Sequence, residues 1–335
     1  MDEVAKKAMG AAQSKKRTSV PWNFDEPWKQ PYYVYSNKWQ PIDPSHTNSE
    51  QQPYASSLSQ LALYAWNIDF MLPFADSRMQ LAIRHLEKLV NRLDNSTARV
   101  IYLQECVESD LKLLTRDPWV QRCFALTDID IDNWQSGHYG TVTLVDRRLF
   151  ITSCFRVHYF QTRMERDGLF VDILLSDKTV RLCNTHLESL AMEPPLRPPQ
   201  MQMVAKYMRD ATFHGAAVAG DFNAIQDFDR HLHSDNGLKD AFLELGGSEE
   251  DAEGGHTWGQ QAATFQREKF GTSRMDKVFF CGGIRCNQFE RFGSGVELEN
   301  DDERKKIVDS GFDRPWITDH LGVMAVFKVQ ESSSL

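Results

Sequence analysis

Six short stretches of this chain set side chains that handle protons, metal ions or phosphate at the end of an apolar run. "LALYAWNID" closes on Asn67 and Asp69, "RVIYLQE" on Gln104 and Glu105, "VRLCNTHLE" on Asn184 and His186, and "GAAVAGDFN" on Asp221 and Asn223. "RMDKVFF" carries Asp276 at its start, and "WITDHLGVMAVF" sets Asp319 and His320 just ahead of its apolar run. One polar residue at a strand end is ordinarily a cap or a turn former. Six such ends describe the rim of a site, because strands of one sheet bring their tips to a common edge. Carboxylate and amide oxygens without a Cys/His cage suit a hard cation, Mg2+ or Mn2+, which keeps several waters and shares its shell with substrate phosphate. Imidazoles donate to phosphoryl oxygens, and an Asp oriented by an Asn positions or deprotonates water. Metal-assisted hydrolysis of a phosphate ester is the reaction class this set suggests. No G-x-x-x-x-G-K-[ST] loop occurs, which argues against a nucleoside triphosphate as fuel, and no G-x-S-x-G elbow occurs either.

These tips need strands to carry them. From residue 61 onward short apolar strand candidates alternate with helical patterns: "RMQLAIRHLEKLVNRLD" repeats Leu81, Leu86, Leu89 and Leu93 at helical spacing, and a second helix runs from Pro199 to Arg209. "YGTVTLVD", "FRVHYF" and "LFVDILL" add further strands, and the mixed series predicts sheets flanked by helices. "GSGVELENDDERKKIVDSG" reads as an exposed loop on its uncompensated charge. His231 and His233 lack a third partner at metal-ligand spacing and read as a solvated helix or loop.

The chain has 335 residues, 41% of them hydrophobic, enough for a substantial core, and a net charge of −9 that argues against a broad basic grip on nucleic acid. A polyanionic substrate then requires a local cation or a metal ion. Six scattered cysteines read as free thiols of a reducing compartment. No long apolar run predicts membrane insertion, and the opening residues lack an apolar leader, so the expectation is an intracellular protein of the nucleus, the cytoplasm or both. Lys15, Lys16 and Arg17 read as a nuclear address or, more simply, as part of a solvated basic tail. Residues 1–55 are expected to be that tail followed by an aromatic stretch, "VPWNFDEPWKQPYYVYSNKWQP", packed across the surface of a catalytic domain spanning 56–331, with a short tail at 332–335.

In this order, "WNID", "LQE", "NTHLES", "GDFN", "RMDKVFF" and "TDH" resemble the signature blocks of the endonuclease/exonuclease/phosphatase superfamily, over residues 66 to 320. "WNID", "THLES", "HTWG" and the "TDH" ending are most similar to 5′-tyrosyl-DNA phosphodiesterases, which release a tyrosine left by a trapped topoisomerase from a DNA 5′ phosphate. The resemblance implies an α/β fold, a four-layer α/β sandwich of two packed mixed β-sheets flanked by helices, with its site at one edge between the sheets. It makes Glu105 a ligand of Mg2+ and Asp69 a second or water-mediated ligand, with Asn67 holding the phosphate or the metal shell. Asp221 then handles the proton of the attacking water, Asn223 orients it, and His186 and His320 bind phosphoryl oxygens. Asp276 fixes the tautomer of His320 through its other ring nitrogen, and Asp319 positions waters of the metal.

Substrate contacts implied by the same resemblance are Asn67, Ile68, Asp69, Phe70, Met71, Tyr139, Arg166, His186, Ser189, Asn223 and Trp258, with Arg166 as the local cation. Single-stranded DNA 5′ ends, including those carrying a topoisomerase-derived peptide adduct, are the implied partners. Trp258 is a stacking face for a base on this view and a core residue on composition alone. One departure stands out: Ile225 lies two positions after Asn223, where the tyrosyl-DNA enzymes usually carry an arginine. The alternatives are the same chemistry on another substrate (an abasic-site endonuclease, an RNA deadenylase, or a phosphatase of inositol or lipid head groups) and a catalytically silent nucleic-acid-binding module.

Overall fold

The computed structural model describes residues 16–46 and 58–330. Most of the expected basic tail, the expected boundary at residue 55 and the tail at 332–335 lie outside the described residues. In chain order the strands are β1 (Pro27–Lys29), β2 (Tyr32–Ser36), β3 (Lys38–Ile42), β4 (Gln60–Asn67), β5 (Thr97–Cys106), β6 (Phe124–Leu126), β7 (Gly140–Asp146), β8 (Phe150–His158), β9 (Asp167–Leu175), β10 (Lys178–His186), β11 (Gly215–Asp221), β12 (Lys239–Asp240), β13 (Asp276–Gly282), β14 (Ile284–Phe292) and β15 (Gly322–Val329). The helices are α1 (Ala75–Val90), α2 (Glu108–Arg116), α3 (Pro118–Cys123), α4 (Arg197–Met208), α5 (Leu232–Asp235), α6 (Ala241–Glu244), α7 (Thr264–Phe270) and α8 (Asp301–Asp309). One sheet runs β1-β8-β9-β10-β11-β13-β12 and the other β14-β15-β4-β5-β7-β6-β2-β3. Each holds one parallel pair near its middle, β10 with β11 and β4 with β5, among antiparallel neighbours.

The two-residue period of a strand sorts the sequence onto the two faces of each sheet. Leu61, Leu63 and Ala65 of β4, Val100 and Tyr102 of β5, Leu182 of β10, Ala217 and Ala219 of β11, Val278 of β13, and Val323 and Ala325 of β15 form the core between the sheets. The alternate residues, Ala62, Tyr64 and Trp66 on one sheet, pack outward on Met79 and Leu86 of α1 and Leu111 and Leu114 of α2. On the other sheet Cys183, Ala216 and Val218 pack on Met201, Val204 and Met208 of α4. The result is helix, sheet, sheet, helix, the expected four-layer sandwich. Each fully buried Leu or Val in these layers contributes about 1.5–3 kcal/mol.

The same alternation decides where the polar tips go. Asn67 continues the inward row of Leu63 and Ala65, Gln104 that of Tyr102, Asn184 and His186 that of Leu182, and Asp221 that of Ala219. Register then sets them side by side: Asn67 faces Gln104, His186 faces Asp221, and Asp221 faces Asp276 on its other flank.

The structure corrects two sequence expectations. The stretch 293–311 is not all loop, because α8 forms within it. Asn300 caps the backbone N–H groups of Asp302 and Glu303, three acids occupy the first turn, Lys306 lies in the last, and Ile307 is buried, so the charge order matches the helix dipole. The aromatic stretch does more than lie on the surface: β1 pairs with β8 at the edge of one sheet, while β2 and β3 extend the other through Tyr33 against Leu126.

Gly220 is required where β10 and β11 meet. Its φ is 147°, and a Cβ there would lie 1.9 Å from the carbonyl oxygen of Thr185. Gly220→Ala is expected to cost about 2–4 kcal/mol from backbone strain plus overlap. The denaturant midpoint at constant m-value measures this, and an unchanged midpoint would mean that the strands part freely.

Candidate active site

At the C-terminal ends of the parallel pairs the two sheets are laced together by amide side chains. Asn67 Nδ2 donates to Asp221 Oδ2 at 2.9 Å, and Gln104 Nε2 donates to Asn184 Oδ1 at 2.8 Å, each bond crossing from one sheet to the other. Asn184 in turn donates to the carbonyl of Val142 at 3.0 Å. Beyond these ties the backbone leaves regular geometry at three site residues: Asp69, Glu105 and Asn223 have φ of 58°, 59° and 48°. Such strain, about 1–3 kcal/mol per residue, persists where surrounding contacts impose it, and it concentrates at functional sites. In β5 a register shift between Leu103 and Cys106 takes up the turn, so Gln104 lies between the sheets while the next residue, Glu105, reaches the mouth.

Asp221 is the hub. Its Oδ1 accepts from the backbone N–H of Asn223 at 2.8 Å, and its Oδ2 lies 3.2 Å from His186 Nε2 and 3.8 Å from His320 Nε2. Burial alone would raise its carboxyl, but the imidazoles of His320 and His186 and these hydrogen bonds outweigh burial and hold it well below the usual carboxylate range. It is an anion. His320 donates from Nδ1 to Asp276 Oδ2 at 2.8 Å. Burial would lower the imidazole, but Asp276, Asp221 and Asp319 together raise it well above its ordinary value, which favours the form that carries a hydrogen on Nε2 as well.

His186 is held differently. Arg166 Nη1 lies 2.6 Å from His186 Nδ1. A guanidinium has only donors, so Nδ1 accepts and the ring hydrogen sits on Nε2. That Nε2 is 3.7 Å from Glu105 Oε1 and makes no aligned hydrogen bond among the described residues, which leaves a buried donor open toward the space enclosed by Glu105 and Asp221. Arg166 also donates to Ser189 Oγ at 2.8 Å.

Three carboxylates border this space: Asp69, Glu105 and Asp319. Glu105 Oε2 takes the N–H of Phe70 at 3.0 Å, Asp69 Oδ1 that of Met71 at 2.9 Å, and Asp319 Oδ2 the indole N–H of Trp258 at 2.7 Å. Each uses one oxygen in these bonds. Burial, reinforced by Asp319 and Glu105, pushes the Asp69 carboxyl up to about 8. The nearby Arg78 guanidinium is engaged by the backbone carbonyls of Ile68, Asp69, Leu72, Pro73 and Ile317, which fixes the loop, and its charge only partly offsets the burial and like charges that raise Asp69. An acidic, oxygen-rich pocket of this kind fits a hard divalent cation. Ligand atoms of Glu105, His186 and Asp221 converge within 4.8 Å. Asp69 stands outside that group and is suited to act through a water. Asp221, Asp276 and His320 also converge, but there His320 Nδ1 and Asp276 Oδ2 are engaged with each other at 2.8 Å.

All eight residues expected to be catalytic thus meet at one mouth. Asn223 differs in detail: its backbone N–H orients Asp221, while its side chain donates to the carbonyl of Leu187 at 3.1 Å. The expected substrate contacts differ in how open they are. Trp258 is 9% exposed and serves Asp319, so it offers no free stacking face. Ile68 is 1% exposed and faces the core. The hydroxyl of Tyr139 donates to the carbonyl of Met164 at 2.7 Å, and its ring stacks on Phe70 at 4.3 Å. Met71 and Ile225, 38% and 43% exposed, are open to solvent. His231 is exposed just ahead of the short α5, which contains His233, and neither joins a metal-ligand cluster among the described residues. All six cysteines are free. Arg78 went unread in the sequence, since nothing in "DSRMQ" distinguishes a buried carbonyl clasp from a surface cation.

The sequence matches the model of the Endonuclease/Exonuclease/phosphatase family over residues 64–320. No curated protein matches it. Among solved structures, TDP2 of D. rerio complexed with single strand DNA product superposes with a TM-score of 0.61 at 18% identity, covering 81% of this chain and 100% of that one. Truncated TDP2 of Caenorhabditis elegans gives 0.58 at 20% identity, covering 81% and 98%. The catalytic domain of human Nocturnin with bound sulfate anion gives 0.56 at 15% identity, covering 84% and 98%. At these identities the likeness is one of fold.

Proposed function

The chain belongs to the endonuclease/exonuclease/phosphatase family and is a metal-dependent hydrolase of phosphoric esters; from that premise we propose that it is an Mg2+-dependent phosphodiesterase releasing tyrosine from the 5′ phosphate of single-stranded DNA. The observation that carries the reading is the convergence of an anionic Asp221, two imidazole Nε2–H donors and Glu105 on one space, with Arg166 and Ser189 at its wall. The adduct left by a trapped topoisomerase is a natural source of such an ester.

Glu105 would hold the ion, with Asp69 and Asp319 fixing its waters, and the bound ion supplies Lewis-acid polarisation of the phosphoryl oxygens. His186 and His320 donate from Nε2 to non-bridging oxygens, where charge accumulates as water attacks. Asp221 accepts a hydrogen bond from that water. Its depressed affinity for a proton makes it an orienting group first and a proton acceptor only as the new P–O bond forms. A tyrosyl oxygen leaves as a phenolate whose conjugate acid titrates at about 10, so its departure requires little protonation.

A second reading keeps the chemistry and changes the ester. The exposed Ile225 and the buried Trp258 favour it, since neither a guanidinium nor a free indole face is present at those positions to grip DNA.

Both readings are tested by incubating the protein with a 5′-phosphotyrosyl oligonucleotide, an abasic duplex, oligoadenylate RNA and an inositol phosphate, each with Mg2+ or with chelator. Tyrosine release that chelator abolishes is expected. Turnover of another member of the panel with an intact phosphotyrosyl bond would replace the first reading by the second.

A further inference from the structure

Glu188 lies between His186 and Ser189, and it is fully buried, at 0% exposure. A carboxylate so placed is costly unless it is paired or richly hydrogen-bonded. Among the described residues it has no cation within 4.0 Å, and its oxygens are satisfied by neutral donors instead: Thr162 Oγ1 at 2.7 Å, the backbone N–H of Arg163 at 3.1 Å and Gln200 Nε2 at 3.1 Å. Two of these donors lie on the loop 159–166 between β8 and β9, and the third is on α4.

The bonds continue toward the site. Thr162 Oγ1, while donating to Glu188, accepts from the backbone N–H of Met164 at 3.2 Å and of Arg166 at 3.0 Å. Arg166 then reaches His186 Nδ1 at 2.6 Å and Ser189 Oγ at 2.8 Å. The path therefore leaves the "THLES" turn at Glu188, crosses the loop and returns to that turn on both sides of Glu188. A closed ring of this kind fixes the distance between the guanidinium and the imidazole. Burial works against the charged form of Arg166, and Tyr139 first and Glu188 next favour it.

We propose that Glu188 is a positioning residue for phosphoryl binding: through Thr162 it sets Arg166, and Arg166 sets the tautomer and angle of His186. The proposal rests on the reading that Arg166 and His186 hold the phosphoryl group, but not on which ester is the substrate. In Glu188→Gln one acceptor oxygen becomes an amide NH2, which faces either the Arg163 N–H or the Thr162 hydroxyl and Gln200 amide, so at least one of these three bonds is lost and the anchor of the ring is weakened without a change of volume.

The test is a double-mutant cycle on binding of inorganic phosphate, followed by calorimetry, with hydrolysis of whichever ester the wild type turns over measured in parallel. Glu188→Gln and Arg166→Ala are each expected to weaken phosphate binding and lower turnover about 10–100-fold. The double variant should be no worse than Arg166→Ala. Thr162→Val, which cuts the same path at its middle, should reproduce Glu188→Gln and keeps the test open if that variant folds poorly. Additive losses overturn the proposal, as does a lower melting temperature with unchanged phosphate affinity, or a wild type that binds no phosphate. Failure to release tyrosine while the cycle stays non-additive would reject the proposed substrate and leave this inference standing.

Discussion

Replacing Asp221 by Asn is expected to lower kcat for phosphoester hydrolysis roughly 10²–10⁴-fold, the range associated with loss of a positioned acid or base. The fold should survive, since the substitution preserves shape at the end of β11. Its closest polar partners are donors: Asn67 Nδ2, the N–H of Asn223, His186 Nε2 and His320 Nε2. An amide presents one NH2 to that ring of donors and no longer accepts from a water. The linkage to stability has a definite sign. A carboxyl whose folded value is depressed contributes stability above its unfolded value near 3.9, and that stability disappears as pH falls through the lower folded value. Wild type and variant should therefore differ in stability at neutral pH and converge in strong acid. Rate and denaturant midpoint measured together check the claim. Near-wild-type turnover would remove Asp221 from the chemistry.

Glu105→Gln should be of similar size for activity, about 10³-fold, because it removes the group that would hold the ion directly. A second readout requires no substrate. Asp69 is raised to about 8, so in chelator the folded protein favours the protonated acid, and stability declines as pH rises from about 4 toward 8. A divalent cation held by Glu105 would favour the ionised form of nearby Asp69 over the protonated one. Added Mg2+ should therefore raise the melting temperature more at pH 8 than at pH 6, and in Glu105→Gln most of the rise should vanish. A variant that keeps the wild-type Mg2+ shift would move the ion away from Glu105.

How much of this was legible beforehand follows from what kind of contact each residue makes. The alternation that buries Leu63 and Ala65 also points Asn67 inward, and runs of local pattern such as this one are visible in any window of six residues. That local signal is why the strand tips were readable as a group. The match of Asn67 to Asp221 is not local: it depends on two sheets meeting at a given register, 154 residues apart in the chain. Trp258 shows the same limit, since its indole N–H is turned to Asp319 by a bridge to Ser273 and His320 rather than by its own neighbours in sequence. In 293–311 the counted charge concealed its order, and order is what a helix responds to. Glu188 passed as one letter of a motif, because a buried acid held by Thr162 and Gln200 leaves no periodic trace.

The short segment from Pro27 to Ile42 occupies the border of both sheets at once, flanking β8 in one and reaching β6 in the other. Open borders seek further chains to pair with. Trimming the polypeptide back to a supposed catalytic unit would therefore unhem the molecule at two places together, baring the nine-residue β8 in one sheet and β6 in the other and leaving a particle more prone to stack on its own copies while its reaction centre stays intact.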